Sequence, residues 1–462
     1  MSKDANTKRE VLVRGGVIVH GSGQVRADLR IVDGRVEAVG LDLPAAAQTI
    51  DATDLLIFPG GVDTHVHLME PGDPSREDFP SGTAAAAARG VTTIIEHTHG
   101  HPIREVADLS EKRSHLVGRS NVDYALAAHT WPDRVDQIAG LWREGVAFFK
   151  IFTCTTHGVP GLDSSNMLLA LRAIADAGAS TLIHCEDEAI TRAAEKALKE
   201  SGRSDNGILT EWRSREAEIA ATAATASLVA VTGAHATIAH VSNPAVAAVI
   251  DDTRKRGGDL AAEACPQYFT LREDEVHDHG ALRKFTPPAR IRSDEEEEEM
   301  WDLVRSGVYT HFSTDHAPST KDQKTGDIWV SPFGLPGLDT TFPFLVDAAL
   351  SGKIDVSDVA RLYSEGPAKR YRLHPRKGSL AVGGDADFVL VDPAGSWTVA
   401  EADLHSKAGW SPFSGRTLRG RMIATYLAGE EIARDGSAHQ LRSGSFIAGP
   451  GATGGDSGSG DS

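Results

Sequence analysis

Four histidines, one aspartate and one lysine stand at the ends or centres of short apolar runs. "GGVDTHVHL" carries His65 and His67 two residues apart, so both imidazoles leave the same face of an extended strand. "STLIHC" supplies His184, "ATIAHV" supplies His240, "YTHFSTDH" supplies Asp315, and "GVAFFKIF" holds Lys150 near its centre. Imidazole nitrogens and carboxylate oxygens are the usual ligands of Zn²⁺. A lysine inside a strand with no polar face is too costly to bury without a partner. In a dry pocket its amine loses its proton readily and becomes nucleophilic. Such an amine can take up carbon dioxide as a carbamate, an anion whose two oxygens can bridge two metal ions. One histidine at a strand end is ordinarily a hydrogen-bonded core residue. Six such groups at matching places point to a metal centre.

Something must bring these six together. Eight short apolar runs, beginning with "GGVDTHVHL" and ending with "YTHFSTDH", alternate with Ala- and Leu-rich helical stretches over roughly three hundred residues. Doubly buried strands alternating with helices predict an α/β fold, a (β/α)8 barrel over residues 59–375, with the six groups at its C-terminal mouth. Residues 10–58 and 376–440 read instead as short strands between Gly and Asp turns, and the two segments are predicted to pair into one composite β-sandwich. The tails, residues 1–9 and 447–462, are predicted to be disordered, the second being rich in Gly, Ser and Asp.

The 462 residues exceed one ordinary core, and 40% hydrophobic with 24% charged residues is an ordinary globular composition. A formal charge of −18, from 65 acidic against 47 basic residues, argues against nucleic acid or an anionic membrane as partner. No apolar run is long enough to span a bilayer. Three cysteines without paired spacing (Cys154, Cys185, Cys265) and a charged N-terminus without an apolar stretch predict a reduced, cytoplasmic protein. Cys154 and Cys185 adjoin strand ends without an obvious basic partner, and alternation turns Cys185 away from the face of His184, so both read as buried structural thiols.

The stretches "GGVDTHVHLMEPG", "LIHCEDE", "AHVSNP", "CPQYFTL", "TPPAR", "STDHAPS" and "KGSLAVGGDADFVLVD", with the lone strand lysine, resemble the cyclic amidohydrolases. That group holds the allantoinases, the hydantoinases or dihydropyrimidinases, and the dihydroorotases, and the resemblance runs from about Val11 to Gly436. It implies a binuclear zinc (or other divalent metal) centre and commonly a homotetramer. In that pattern His65, His67 and Asp315 hold one metal, His184 and His240 the other, and carboxylated Lys150 bridges them. It further implies hydrolysis of a cyclic amide C–N bond, with Asp315 as the proton carrier.

Substrate contacts are expected from Thr155, His97, Thr286, Phe333 and Met69. Dihydroorotases typically carry an Arg where this chain has Met69, so the usual clamp for a ring carboxylate is missing. Arg76 nearby reads as a solvated surface residue. "EHTHGHP" replaces the family's usual second-strand loop; its His97, His99 and His101 suit a pocket wall or solvent better than a third metal. Phe333 stands where hydantoinases often have Asn, which suggests a more apolar wall. The expected substrate is therefore a small neutral cyclic ureide or imide, opened as allantoinases or hydantoinases do. A dihydroorotase-like activity, a linear N-acyl or N-carbamoyl amidohydrolase and a non-catalytic scaffold are the alternatives. A mononuclear deaminase is disfavoured by Lys150.

Overall fold

The computed structural model describes residues 9–452. Its centre is an eight-stranded parallel barrel. The strands are β1 (Gly61–Val66), β2 (Val91–Glu96), β3 (Asp123–Leu126 and Ala128–His129), β4 (Phe149–Phe152), β5 (Ser180–His184), β6 (His235–Ile238), β7 (Leu260–Ala264) and β8 (Tyr309–Phe312). Every residue of β1, β2, β4, β5 and β7 is buried, as expected for strands covered on both faces. β3 breaks at Ala127: its first half pairs with β2 and its second with β4, so the wall kinks there. The ring closes through a parallel bridge from Val66 to His316, with His67 N donating to His316 O at 2.8 Å.

Two sheets pack beside the barrel. One has four strands, ordered Arg35–Gly40, Asp28–Val32, Glu10–Arg14 and Gln48–Asp51. The other has seven, and its centre joins the two chain ends: Leu56–Pro59 pairs antiparallel with Phe388–Thr398, Ile57 opposite Leu390. Val11, Leu29, Ile31, Ile57, Leu390 and a stacked Phe388–Tyr426 pair, 4.3 Å apart, fill the space between the sheets. Only Gly60 separates the sandwich strand from β1. A Cβ there would stand 2.1 Å from Thr92 Oγ1, so no larger residue fits this junction.

Barrel and sandwich are also tied by charge. Lys377, whose side chain is 1% exposed, reaches Asp123 on β3 at 2.5 Å, Asp387 at 2.7 Å and Asp385 at 2.9 Å. The chain near its C-terminus departs from expectation. Residues 447–452, predicted as tail, lie against the barrel: Ile447 is buried and its N–H donates to Tyr124 O at 2.7 Å, while Gly449 N donates to Gly145 O at 2.8 Å. Composition hid this, because one isoleucine anchors a Gly-rich stretch through backbone hydrogen bonds. Arg9 is likewise placed, its N–H on Asp33. The remaining predicted tail residues, 1–8 and 453–462, lie outside the described residues. No helix among the described residues is long and apolar enough to cross a membrane.

Candidate metal centre and pocket

The residues following each strand hold the polar groups in place. After β5, "HCEDE" sets His184 three residues before Asp187, which caps the next helix by accepting from Ile190 N at 2.8 Å. After β6, "HVSNP" does the same, with Asn243 capping the helix Pro244–Lys255 and Pro at its start. His240 (φ 38°) and Asp315 (φ 51°) occupy the left-handed region that non-glycine residues seldom adopt. Such backbone persists where its surroundings fix it, which is common at functional sites.

His65, His67, Lys150, His184, His240 and Asp315 line one cleft at the C-terminal mouth, together with His99, Phe152, His157, Thr286 and Phe333. His65 Nε2 and His67 Nε2 lie 3.2 and 3.4 Å from the same Asp315 Oδ1. Lys150 Nζ is 3.1 Å from His65 Nε2, and His184 Nδ1 is 2.9 Å from His240 Nε2. His240 Nδ1 is buried with no hydrogen-bond partner among the described residues. Burial lowers the pKa of Lys150 to about 8 against the pull of Glu263, so the amine gives up its proton easily. Burial also holds His65 and His240 well below the usual histidine range, which keeps their lone pairs free.

This donor set fits a pair of divalent cations. Ring nitrogens of His65 and His67 converge on one carboxylate, Asp315, and those of His184 and His240 on each other, as the ligands of bound cations would. Groups behind the ligands orient them. Glu263 accepts from His65 Nδ1 at 2.7 Å and from His240 N at 3.0 Å; His67 Nδ1 donates to His97 O at 2.6 Å. Glu186 faces His184 Nε2 at 2.8 Å and is held by Arg213 at 3.2 Å and Thr286 Oγ1 at 2.6 Å. For His65, His67 and His184 this fixes one ring nitrogen and leaves the other for the cleft, whereas at His240 Glu263 holds the backbone. Cys154, His184 and Glu186 also stand within 4.8 Å of one another, on the far side of His184. That triad suits a metal poorly. Arg213 already occupies the Glu186 carboxylate and approaches Cys154 Sγ at 3.3 Å, and burial pushes the Cys154 thiol up to about 12.

The expected substrate contacts divide. Thr286 and Phe333 line the cleft. Thr155 does not: Glu188, in the first turn of the next helix, takes both its N–H and its hydroxyl. His97 sits behind His67, with its Nδ1 3.3 Å from His67 Nδ1. Met69 is buried in a left-handed turn (φ 57°), its sulfur toward Thr98. Of the loop histidines, His99 lines the cleft and its Nδ1 lies 3.3 Å from His129 Nε2, while His101 is not among the cleft-lining residues. Arg76 is not a solvated surface group: its guanidinium donates to Pro318 O at 3.0 Å and Phe333 O at 3.5 Å, bracing the loop that carries Phe333. Cys185 is buried, as predicted.

Reading the sequence alone missed His129, His157, Glu186 and Glu263. Two of them had a signal. Glu263 is a charge inside the apolar run "LAAEAC", the same anomaly as Lys150, and Glu186 follows His184 at period two.

The model of the Amidohydrolase family matches residues 56–432. The chain is 34% identical over 446 residues to an allantoinase of Rubrobacter xylanophilus, covering 95% of this chain and 97% of the relative. It is 33% identical over 430 residues to an allantoinase of Solibacter usitatus, covering 92% and 93%. Among solved structures, an L-hydantoinase (dihydropyrimidinase) from Arthrobacter aurescens superposes with a TM-score of 0.89 at 27% identity, covering 95% and 99%. A dihydropyrimidinase from Brevibacillus agri does so with 0.89 at 25%, covering 96% and 100%.

Proposed function

The chain belongs to the amidohydrolase family, and on that premise we propose that it opens the ring of a neutral cyclic ureide or imide by hydrolysing an amide C–N bond. A barrel with a composite β-sandwich, a cleft of convergent ligands and allantoinase and hydantoinase relatives all favour this reaction. The observation that carries it is the meeting of His65, His67 and Asp315 within 3.4 Å, beside Lys150 and the His184–His240 pair.

The family works with two divalent metal ions. We assign His65, His67 and Asp315 to one of them and His184 and His240 to the other, with Lys150 between as its carbamate, and read the metal as zinc. Bound there, the metals supply Lewis acidity toward water and toward the scissile carbonyl. The chain's own part is positioning and proton transfer. Asp315 takes one proton from the attacking water and passes it to the ring nitrogen as the C–N bond breaks; the new carboxylic acid gives its own proton to solvent, leaving a carboxylate and a ureide or amide end. Phe152 and Phe333 wall the cleft and limit its water. Glu263 and Glu186 hold the histidine rings to their task.

Residues 10–58 with 376–440 form the sandwich unit in this reading, and 59–375 the catalytic barrel. A cytoplasmic homotetramer completes it. The outer face of the helix Arg215–Thr232 supports an interface, since Ala220, Ala223, Ala224, Ala230 and Val231 are exposed along it and Glu216 is its one exposed charge. Sedimentation at four chain masses is the expected result; a monomer would remove that part.

The test of the function is a panel of allantoin, 5-substituted hydantoins, dihydrouracil and dihydroorotate, with metal content measured on the same protein. Ring opening with about two metals per chain is expected. Dihydroorotate should be at least ~10-fold poorer in kcat/KM, the factor that ~1.4 kcal/mol represents. No ring opened by metal-replete protein would overturn the reading.

A further inference from the structure

We propose that the stacked His99–His157 pair sets substrate choice, selecting cyclic amides whose ring substituent can hydrogen-bond, such as a ureido or carboxamide group, over those bearing alkyl or aryl groups. The inference rests on the ring-opening reading above and names the substrate class for that cleft.

Sequence distance gives no hint of the pair. His99 follows β2, and His157 lies in the loop after β4. Their rings stack at 4.6 Å and 11°. His157 is carried on a tight turn, closed by Thr156 N to Val159 O at 3.1 Å and Val159 N to Thr156 O at 2.8 Å. Both central residues of that turn, His157 (φ 53°) and Gly158 (φ 77°), are left-handed, the signature of a type I′ turn. Asn, Asp or Gly is the ordinary choice there, so the imidazole is not explained by the turn.

Both rings line the cleft, framed by apolar edges. Phe333 meets His157 at 5.9 Å and 80°, and Phe152 meets His99 at 5.4 Å and 73°. Among the described residues no protein group hydrogen-bonds to either nitrogen of His157, while His99 uses only Nδ1, toward His129. An imidazole offers one donor and one acceptor when neutral. The pair therefore faces the bound ring with polar atoms that only substrate or water can satisfy. An alkyl substituent would displace that water and return nothing, and sites of this kind discriminate strongly against the analogue lacking the polar group. Phe333 contributes an apolar wall to the cleft, and the two imidazoles give it a polar end.

The experiment compares kcat/KM for allantoin, whose substituent is a ureido group, and 5-isopropylhydantoin. It uses metal-loaded wild type, His157→Phe and His157→Asn, each checked for metal content and thermal midpoint. The expected result is a wild type that favours allantoin. In His157→Phe the allantoin-to-isopropylhydantoin ratio should fall at least ~10-fold, mainly through KM. His157→Asn, which keeps amide donors and acceptors and tolerates a left-handed backbone, should stay near the wild-type ratio. Should His157→Phe fail to fold, His99→Leu makes the same comparison from the other half of the stack. A ratio unmoved by the replacement, moved equally by His157→Asn, or favouring isopropylhydantoin in the wild type overturns the inference while the ring-opening reading stands. A wild type that opens neither ring overturns both.

Discussion

Replacing Lys377 by Met is expected to loosen the joint between barrel and sandwich, in a way that depends on pH. Lys377 Nζ lies within 2.9 Å of carboxylate oxygens from Asp123, Asp385 and Asp387, and its side chain is 1% exposed. Asp385 keeps Arg376 at 3.0 Å after the substitution. Asp123 and Asp387 keep only backbone donors, Ser445 N and Ala428 N, each at 2.8 Å. Removing one partner of a buried ionic group costs about 3–5 kcal/mol. With an unfolding entropy of about 2.1 cal/mol/K per residue, a chain of 462 residues loses roughly 1 °C of Tm per kcal/mol. A drop of about 3–5 °C at pH 8 follows. The sign of the pH effect is fixed by the carboxyls. Burial already raises the Asp387 pKa in the intact protein, opposed by Lys377, and without that ammonium it rises further. The folded variant then binds protons that the unfolded chain does not, so its stability falls as pH rises. The gap between variant and wild type should therefore narrow from pH 8 to pH 5, read by calorimetric or circular-dichroism melts. A drop below about 1 °C at pH 8, or a gap that widens toward pH 5, would refute the reasoning.

Three further perturbations address the cleft. Lys150→Ala should lose bound metal as well as activity, with a short-chain carboxylic acid and excess metal restoring a fraction; full activity would dismiss the bridging role. Asp315→Asn should keep the fold and much of the metal yet turn over about 10²–10⁴-fold more slowly, the usual worth of general acid–base catalysis. More than a tenth of the wild-type rate would contradict proton transfer by this side chain. Glu186→Gln, which disturbs the group on His184 Nε2, should weaken metal retention about 10–100-fold against a chelator. Unchanged retention would mean that His184 is oriented by other contacts.

Much of the centre could be read from the chain because the relevant signals are local. His65 and His67 share a face by strand periodicity alone, and Lys150 stands out because its strand has no polar side. His184, His240 and Asp315 were visible as strand ends. The pocket wall was harder, because loop direction is set by contacts between distant segments. Thr155 was expected in the cleft, but Glu188 draws it outward. Met69 turns away on a left-handed residue. His157 enters on a turn whose ring partner is 58 positions earlier in the numbering, at His99. Arg76 looked free and instead braces the Phe333 loop from 242 residues away, at Pro318. Periodicity reports what a strand presents; it says nothing of where the next loop goes.

The pairing of Leu56–Pro59 with Phe388–Thr398 also has a consequence for biosynthesis. From Pro59 to Phe388 the ribosome must add 329 residues before the central pair of the seven-stranded sheet can form. At about 5–20 residues per second that is a wait of roughly 15 to 65 seconds. Throughout it, Ile57 and Phe58, buried in the finished protein, have no partner strand on that side. The barrel strands emerge during this interval and can assemble on their own schedule, since β1 follows directly after Gly60. The nascent chain thus carries an open, apolar sheet edge at its oldest end until its youngest part arrives, and it is there that a chaperone would find its longest opportunity to bind.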